Sequence, residues 1–265
     1  MAVDLPQRWD HAWRQRDYWL TIYKRTWRGT VITSFVTPLL YVLSMGVLLG
    51  RYIEADPAEL EGAASYLAFV APGLVAAQSM QMVVGEVTYP VMGMVKWQRS
   101  AFGMTSTPLA PIDVLNAHLG YLVFRLAMVS GVFLAVMAPF GVYESFAGVI
   151  GAFLVQILIG LAFATPIYGL SAGLKDEMPF ALVFRLGVIP MFLFSGAFFP
   201  IENLSPWMEK VAQLTPLWHG VDLTRMLTLD RLETGPALVH VAYLAAVALL
   251  GYWWAGRRLT NRLVG

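Results

Sequence analysis

The 265-residue chain contains no cysteine and few charged residues. The absence of cysteine excludes disulfides, thiolate metal sites and cysteine nucleophiles. Charged residues make up 13% of the chain and hydrophobic residues 58%, with a mean hydropathy of +0.62. A soluble domain usually has about 25% charged and 45–50% apolar residues. Because this chain has too little charge to cover a water-facing surface, we predict a membrane protein.

Motifs for nucleotide or metal chemistry are missing as well. None of the four lysines follows a glycine, which excludes the GxxxxGK[ST] phosphate loop. The net charge of +1, without a dense basic stripe, predicts no nucleic-acid partner. We therefore expect no cofactor in this chain, and any ATP and Mg to bind another polypeptide. The four histidines, which lack metal-binding spacing, are His11, His118, His219 and His240.

Six apolar stretches approach the roughly 20 residues that a membrane-spanning helix needs. Their approximate ranges are 31–49, 66–84, 119–140, 146–170, 180–199 and 236–254. Backbone polar groups in lipid must bond internally, and these stretches lack the alternation of barrel strands, so we predict helices. The predicted fold class is an all-α membrane protein, with a single transmembrane domain over residues 1–265.

The distribution of Lys and Arg predicts that both termini lie in the cytoplasm. With the N-terminus inside, the predicted inner segments contain twelve of these cations and the predicted outer segments four. Inner loops of membrane proteins carry the excess of Lys and Arg.

The first 28 residues combine basic and aromatic side chains. This composition favours an amphipathic N-terminal helix in the headgroup layer, over residues 1–28. A basic, aromatic face that docks a partner is the alternative. The apolar members recur at helical spacings of three, four or seven and are Trp9, Trp13, Leu20, Tyr23 and Trp27.

Two connections are too long to be simple turns: an inner one at 85–118 and an outer one at 200–235. In the outer connection, Ser205–Pro206 and Thr215–Pro216 each place a capping hydroxyl before a proline at the first helical position. These dipeptides predict two short outer helices, at 206–214 and 216–229.

The chain resembles the ABC type-2 exporter permeases over residues 184–227, which read FRLGVIPMFLFSGAFFPIENLSPWMEKVAQLTPLWHGVDLTRML. Residues 96–115, KWQRSAFGMTSTPLAPIDVL, are similar to the basic inner loop of that family. The resemblance covers essentially the whole chain and is nearest to permeases of nodulation-factor and anthracycline-type exporters. Ser205 departs from the family pattern, which has proline there. The recognisable elements are Phe194-Ser195-Gly196, Phe199-Pro200, Pro206-Trp207, Pro216-Leu217, His219 and Arg225.

The resemblance implies an ATP-driven exporter in a bacterial plasma membrane. Two permease subunits, identical or paralogous, would sit on two cytoplasmic ATP-binding subunits, and the permease itself would be no enzyme. The implied substrate is hydrophobic or amphipathic, such as a drug, lipid or glycolipid. The alternatives are an exporter of lipid-linked glycans and, from another class, a non-energised membrane scaffold or a membrane-embedded enzyme.

The resemblance also implies that the inner connection forms a coupling helix seated on the ATPase. Basic residues there can pair with acidic groups, and aromatic residues are enriched at interface hot spots. The alternative is that these side chains only lie on the membrane surface. The predicted coupling residues are Lys96, Trp97, Arg99, Ser100, Phe102, Met104, Thr107 and Pro108.

Two arginines, Arg125 and Arg185, fall inside predicted membrane helices. One interpretation is that both snorkel to inner-leaflet phosphates. The other is that they line an inner-leaflet cavity that attracts an anionic substrate or a membrane lipid. Glu86, at the inner end of the second helix, is a candidate partner for either arginine or for the ATPase.

Polar residues also give the second predicted helix a hydrophilic side, formed by Gln78, Ser79 and Gln81. Uncharged polar residues in lipid usually bond to a neighbouring helix, and a role in facing substrate is the alternative. The candidate substrate or lipid path therefore consists of Gln78, Gln81, Glu86, Arg125 and Arg185.

Overall fold

The part of the chain that the structure describes, residues 5–41, 44 and 60–265 of a computed structural model, is helical and contains no strand. Two π-helical segments, Gly93–Trp97 and Val183–Val188, interrupt longer helical runs. The predicted all-α class is confirmed. The α-helices in chain order are α1 (Leu5–Tyr41), α2 (Tyr66–Val87), α3 (Tyr89–Met92), α4 (Ser100–Thr105), α5 (Pro111–Met137), α6 (Phe146–Gly173), α7 (Met178–Leu182), α8 (Ile189–Phe194), α9 (Pro206–Gln213), α10 (Pro216–Thr228) and α11 (Thr234–Leu263).

Within the described residues, four helical segments are long and apolar enough to cross a membrane. They are Tyr66–Trp97, Pro111–Phe140, Phe146–Gly173 and Thr234–Leu263. These correspond to the second, third, fourth and sixth predicted stretches. The fifth is a shorter apolar helix, Met178–Phe194, and the first, 31–49, is described only up to residue 41 and at residue 44. The total of six membrane helices therefore stays a prediction.

The third spanning helix begins earlier than predicted. We expected it to start at residue 119, as the end of a connection over 85–118, but α5 begins at Pro111. Asp113 Oδ2 accepts a hydrogen bond from the Ala110 backbone N–H at 2.9 Å and so caps the helix. The first turns of α5 contain polar residues, which a search for apolar stretches excludes. Because α2 is followed by further helical segments up to Trp97, the inner connection is mostly helical.

The two short helices between α8 and α11 begin at the expected prolines. α9 starts at Pro206 and α10 at Pro216, and each ends one residue before the predicted end. Thr215 Oγ1 accepts a hydrogen bond from the Trp218 N–H at 3.3 Å, whereas Ser205 forms no side-chain cap with any described residue. Proline suits a first helical position because the N–H it lacks would have no partner there.

α6 lies at the centre of the bundle and contacts α2, α5, α10 and α11. Glycines allow α6 and α11 to approach closely, since a Cβ atom on Gly169 would lie 2.7 Å from the Trp254 ring. One on Gly251 would lie 2.4 Å from Thr165 Oγ1, which donates a hydrogen bond to the Ala248 carbonyl at 2.9 Å. Small residues and interhelical hydrogen bonds are the usual means of helix packing in lipid.

A buried polar network joins four helices. Gln156 on α6 accepts a hydrogen bond from Ser79 on α2 at 3.0 Å and donates one to Thr224 on α10 at 3.1 Å. The Ser130 hydroxyl on α5 lies 3.4 Å from that of Ser79. All four side chains are at most 1% exposed. The expected bond from Ser79 to a neighbouring helix is confirmed.

Candidate functional site

The end of the bundle predicted to face the cytoplasm carries a basic and aromatic surface. It is formed by the π-helical segment that ends at Trp97 and by α4. Trp97 is 52% exposed, while Phe102 packs on the hydrophobic core and holds α4 against the bundle. Among the predicted coupling residues, the exposed ones are Trp97, Arg99, Thr107 and Pro108, and the partly buried ones are Lys96, Ser100, Phe102 and Met104.

Arg99 makes the turn between the π-helical segment and α4. Its backbone is left-handed, with φ 51° and ψ 24°. A residue other than glycine rarely adopts this conformation, which cannot continue a right-handed helix. The helical run from α2 therefore stops at this position, and α4 starts in a new direction.

At this end of the bundle, an ion pair joins the π-helical segment after α3 to the connection between α6 and α7. Lys96 Nζ lies 3.3 Å from a carboxylate oxygen of Glu177, just before α7. A backbone hydrogen bond and the Lys96 ammonium hold the pKa of Glu177 below its ordinary value. Since both side chains are at least one-third exposed, we expect the pair to contribute little to stability.

A cavity of about 550 Å³ lies between α1, the end of α2 with its following segments, and α5. Its wall combines aromatic rings with one acid and one base. Trp97 belongs both to this wall and to the exposed surface described above, so the cavity reaches the predicted cytoplasmic end. The wall residues that matter below are Trp19, Trp97, Tyr121, Glu86 and Arg125.

Glu86 and Arg125 form an ion pair in this cavity. Their side chains are 26% and 14% exposed, and the guanidinium lies 5.8 Å from the centre of the Tyr121 ring. An ion pair lowers the cost of placing each charge inside a membrane protein. Of the two arginines considered for Glu86, the structure selects Arg125.

The other three residues of the predicted path lie elsewhere. Arg185 is exposed on the π-helical segment between α7 and α8, and no described residue forms an ion pair with it. Gln78 is partly buried and Gln81 exposed, and neither side chain hydrogen-bonds within the described part of the chain. The structure thus brings together only Glu86 and Arg125 of the five candidates.

Arg225, a signature residue, connects several elements at the predicted outer end. Its guanidinium donates two hydrogen bonds to the Glu61 carboxylate, at 2.9 and 3.1 Å, one to the Gly196 carbonyl at 2.5 Å and one to the Phe69 carbonyl at 3.4 Å. The side chain is only 5% exposed. α10 is thereby bound to α2, to the segment after α8 and to the residues before α2.

A second arginine bonds to the turn that contains Glu61. Arg231 donates hydrogen bonds to the backbone carbonyls of Glu61, at 2.9 Å, and Gly62, at 3.1 Å. Both turn residues have positive φ, 50° and 79°, which suits Gly62. Burial raises the pKa of the Glu61 carboxyl, while Arg225 acts in the opposite direction. Sequence reasoning missed this turn, for which the acidic residues between 54 and 61 in the first predicted outer loop were the available signal.

The family model of the ABC-2 type transporter matches residues 15–229. The chain belongs to the ABC-2 type transporter family. The matched range includes both segments that carried the resemblance, 96–115 and 184–227. The interpretation of the sequence as a type-2 permease is therefore confirmed.

Two of three relatives of this ABC-2 permease cover nearly its whole length, and the third covers about three quarters. Nodulation protein J of Neorhizobium galegae is 26% identical over 256 residues, 96% of this chain and 94% of that protein. Nodulation protein J of Bradyrhizobium diazoefficiens is 28% identical over 253 residues, 93% of this chain and 94% of that protein. Daunorubicin resistance ABC transporter permease protein DrrB1 of Streptomyces coeruleorubidus is 25% identical over 198 residues, 74% of this chain and 68% of that protein.

Proposed function

We propose that the chain is the membrane-spanning permease subunit of an ATP-driven exporter. It moves a hydrophobic or amphipathic substrate out of the cytoplasm or the inner leaflet, across a bacterial plasma membrane. Two permease subunits and two cytoplasmic ATP-binding subunits make up the working complex. Membership of the ABC-2 type transporter family supports the permease role, and the excess of Lys and Arg in the inner segments supports cytoplasmic termini.

The observation that carries this proposal is the exposed surface around Trp97 and Arg99. A large aromatic side chain that is half exposed and close in sequence to an exposed arginine has the composition of an interface hot spot. We assign this surface, with α4, to contact with an ATP-binding subunit.

The same surface offers a physical route from the ATPase to the cavity. Trp97 ends a helical run that begins with α2, and its ring also lines the cavity. Phe102 of α4 packs on the core. A displacement of α4 by the ATP-binding subunits would therefore move one wall of the cavity relative to α5, as in other two-state helix movements.

We assign the cavity to the substrate path on the inner side. It has aromatic walls for an apolar group and the Glu86–Arg125 pair for a polar one, which is the usual composition of a small-molecule site. Gln78, Gln81 and Arg185 do not line it, so we leave them out of this path.

A double variant tests the docking surface. Trp97→Ala with Arg99→Glu should prevent co-purification with the ATP-binding subunit or lower ATP-dependent transport at least about tenfold, because it removes the ring and reverses the charge. The matched control is Trp207→Ala with Lys210→Glu, an exposed tryptophan and a nearby cation on α9. Normal co-purification and normal transport by the Trp97 and Arg99 variant would contradict the proposal.

A second experiment tests which subunit binds and hydrolyses ATP. Purified alone, the chain should neither bind nor hydrolyse ATP, since it lacks a phosphate loop. Hydrolysis should appear with the ATP-binding partner and require the partner's phosphate-loop lysine. Saturable nucleotide binding by the isolated chain would remove the proposal.

A further inference from the structure

The last turns of α11, at the end of the bundle predicted to face the cytoplasm, carry two tryptophans and two arginines. Each arginine follows a tryptophan by four residues, the spacing that places two side chains next to each other on a helix. The Arg257 guanidinium lies 4.1 Å from the centre of the Trp253 ring, and the Arg258 guanidinium lies 5.6 Å from the centre of the Trp254 ring. These distances are those of cation–π contacts, so we call the four residues the two Trp–Arg pairs.

Two glycines of α6 set the position of the second Trp–Arg pair. A Cβ atom on Gly169 would lie 2.7 Å from the Trp254 ring, and one on Gly173 would lie 3.3 Å from both Cδ and Nη1 of Arg258. The glycines are four residues apart, so they leave a shallow groove along the end of α6 in which Trp254 and Arg258 lie. Helix packing thus fixes Arg258, unlike an ordinary surface arginine.

The tryptophans mark the level of the membrane surface. They end the sixth predicted apolar stretch, 236–254, and Trp253 is 56% exposed. Tryptophan rings favour the interface between hydrocarbon and water. Arg257 and Arg258, which are both exposed, follow four residues later, about 6 Å along the helix axis. Their guanidiniums therefore reach the level of the lipid phosphates.

Positive charge at this end of α11 is not balanced by a carboxylate. Within the described part of the chain, no acidic residue forms an ion pair with either arginine of the two pairs. The acids that follow α6 have other partners: Asp176 accepts a hydrogen bond from the first N–H of α7 at 3.2 Å, and Glu177 pairs with Lys96. Arg262 adds a third cation one turn further along α11.

We infer that Arg257 and Arg258 bind the phosphate of an anionic phospholipid, while Trp253 and Trp254 contact its glycerol and upper acyl chains. This inference goes beyond the proposed function, because the lipid stays bound to the outside of the bundle and is not transported. The site lies on α6 and α11, whereas the residues that line the cavity come from α1, α5, and α2 with its following segments.

The groups at the site select a lipid with net negative charge. A guanidinium donates hydrogen bonds to phosphate oxygens in a planar fork, and basic clusters beside a membrane helix favour anionic lipids. A phosphatidylcholine head has the same phosphate but also a cation, which no described carboxylate at this site can balance. An anionic head gains the arginines without this repulsion.

Native mass spectrometry of the full detergent-purified chain, titrated with lipids, tests the ligand class. The probes are dioleoylphosphatidylglycerol, which is anionic, and dioleoylphosphatidylcholine, which has the same tails and phosphate. We expect the first phosphatidylglycerol to bind at least about tenfold more tightly than phosphatidylcholine, and an excess of inorganic phosphate to displace little of it. Equal affinity for the two lipids, or displacement by inorganic phosphate at a concentration equal to that of the lipid, would overturn the inference.

Two double variants test the arginines. Arg257→Gln with Arg258→Gln should lower the affinity for phosphatidylglycerol about tenfold, because both forks of donors are lost. Arg257→Lys with Arg258→Lys keeps the charge without the forks and should lower it about threefold. The matched control, Lys210→Gln with Arg231→Gln, removes two exposed cations at the predicted outer end and should bind like the unmodified chain.

A single variant keeps the test independent of folding. Arg258 packs on α6, so its replacement can disturb the bundle, whereas Arg257 is exposed and contacts Trp253 on the same helix. Arg257→Gln should therefore weaken phosphatidylglycerol binding about threefold without a change in melting temperature. Unchanged binding by this variant and by the double Gln variant would show that the inference is wrong.

Two further outcomes would also overturn the inference. If the double Lys variant binds phosphatidylglycerol as tightly as the unmodified chain, charge alone attracts the lipid and there is no site. If the double Gln variant keeps its lipid but no longer co-purifies with the ATP-binding subunit, the arginines dock a protein instead. The lipid titration contains no ATP-binding subunit, so a failure of the proposed export function leaves the lipid result standing, and the reverse.

Discussion

His219 and His240 share a hydrogen bond between their Nδ1 atoms, which lie 2.7 Å apart where α10 meets α11. His240 Nε2 lies 3.0 Å from an Asp222 carboxylate oxygen. An ionised carboxylate only accepts, so a neutral His240 donates through Nε2 and accepts through Nδ1, and His219 is the donor between the rings. With both rings protonated, two N–H groups would face each other and the contact would be lost.

Acidification should destabilise the protein through His219, because burial opposes the protonated form of its ring. Burial, and then positive charge on His240, lower the pKa of His219 to about 4, while Asp222 acts in the opposite direction. Between pH 4 and the ordinary value of 6.5 the unfolded state binds more protons at this site, so stability falls as pH falls through this window. Down to pH 5 the loss should be at most about 2 kcal/mol.

The measurement is the melting temperature at pH 7.5 and pH 5 for the unmodified chain and for His219→Phe. Phenylalanine keeps a ring to stack on Tyr243, which lies 3.9 Å from His219 between ring centres, and removes the titrating group. The variant should lose less stability on acidification than the unmodified chain. An equal loss in both proteins would show that other groups cause the pH dependence.

Replacement of Arg225 should destabilise the predicted outer end strongly. Arg225→Met leaves the Glu61 carboxylate and the Gly196 and Phe69 carbonyls without their donor, and removing one member of a buried ion pair costs about 3–5 kcal/mol. Because Glu61 is partly exposed, we expect the lower end of this range.

Thermal unfolding of matched variants checks this expectation. Arg231→Met removes an exposed arginine that bonds to the same turn, and it should cost less than about 1 kcal/mol. Similar losses from the two arginine variants would contradict the assignment of Arg225 as the main connection.

The sequence was sufficient to predict the membrane-spanning segments and helix starts that depend on local composition. Four spanning segments were recognised because their apolar runs are continuous, and α10 because Thr215 and Pro216 mark its start. The predicted start of α5 was wrong because the first turns of this helix are polar and are missing from the apolar stretch. Hydropathy reports the apolar part of a helix, not its full length.

Contacts between segments that are distant along the chain could not be predicted from the sequence. Glu86 had two candidate arginines, and only the packing of α2 against α5 selects Arg125. The stacking of Trp19 on His118 depends on where α1 lies along α5, which no motif encodes. Residue types were sufficient to nominate charged candidates, but the choice among them required the relative positions of the helices.

The buried polar network predicts a difference between two glutamines. Gln156→Leu removes the hydrogen bonds to Ser79 and Thr224 and should lower stability by about 1 kcal/mol, a typical value for polar contacts between membrane helices. Gln81→Leu, on the exposed side of α2, should have almost no effect. Thermal unfolding of both variants is the measurement, and a larger loss from Gln81→Leu would contradict the account of the network.

Arg125 and Arg185 form a matched pair for testing the substrate path. Arg125→Gln leaves Glu86 partly buried without its guanidinium, so we expect a loss of both stability and transport, the latter at least about tenfold. Arg185→Gln should be tolerated, because that side chain is exposed and forms no ion pair with a described residue. Arg125→Lys should recover only part of the activity, since an ammonium is a point charge and lacks the planar fork of donors.

The double variant Glu86→Gln with Arg125→Gln separates folding from transport. Removing both charges leaves no unpaired ion, so the melting temperature should return close to that of the unmodified chain. If the pair lines the substrate path, transport normalised to membrane expression should still remain at least about fivefold low in this folded variant. Normal transport by the double variant and by all single arginine variants would show that neither arginine takes part in transport, and would remove the cavity from the substrate path.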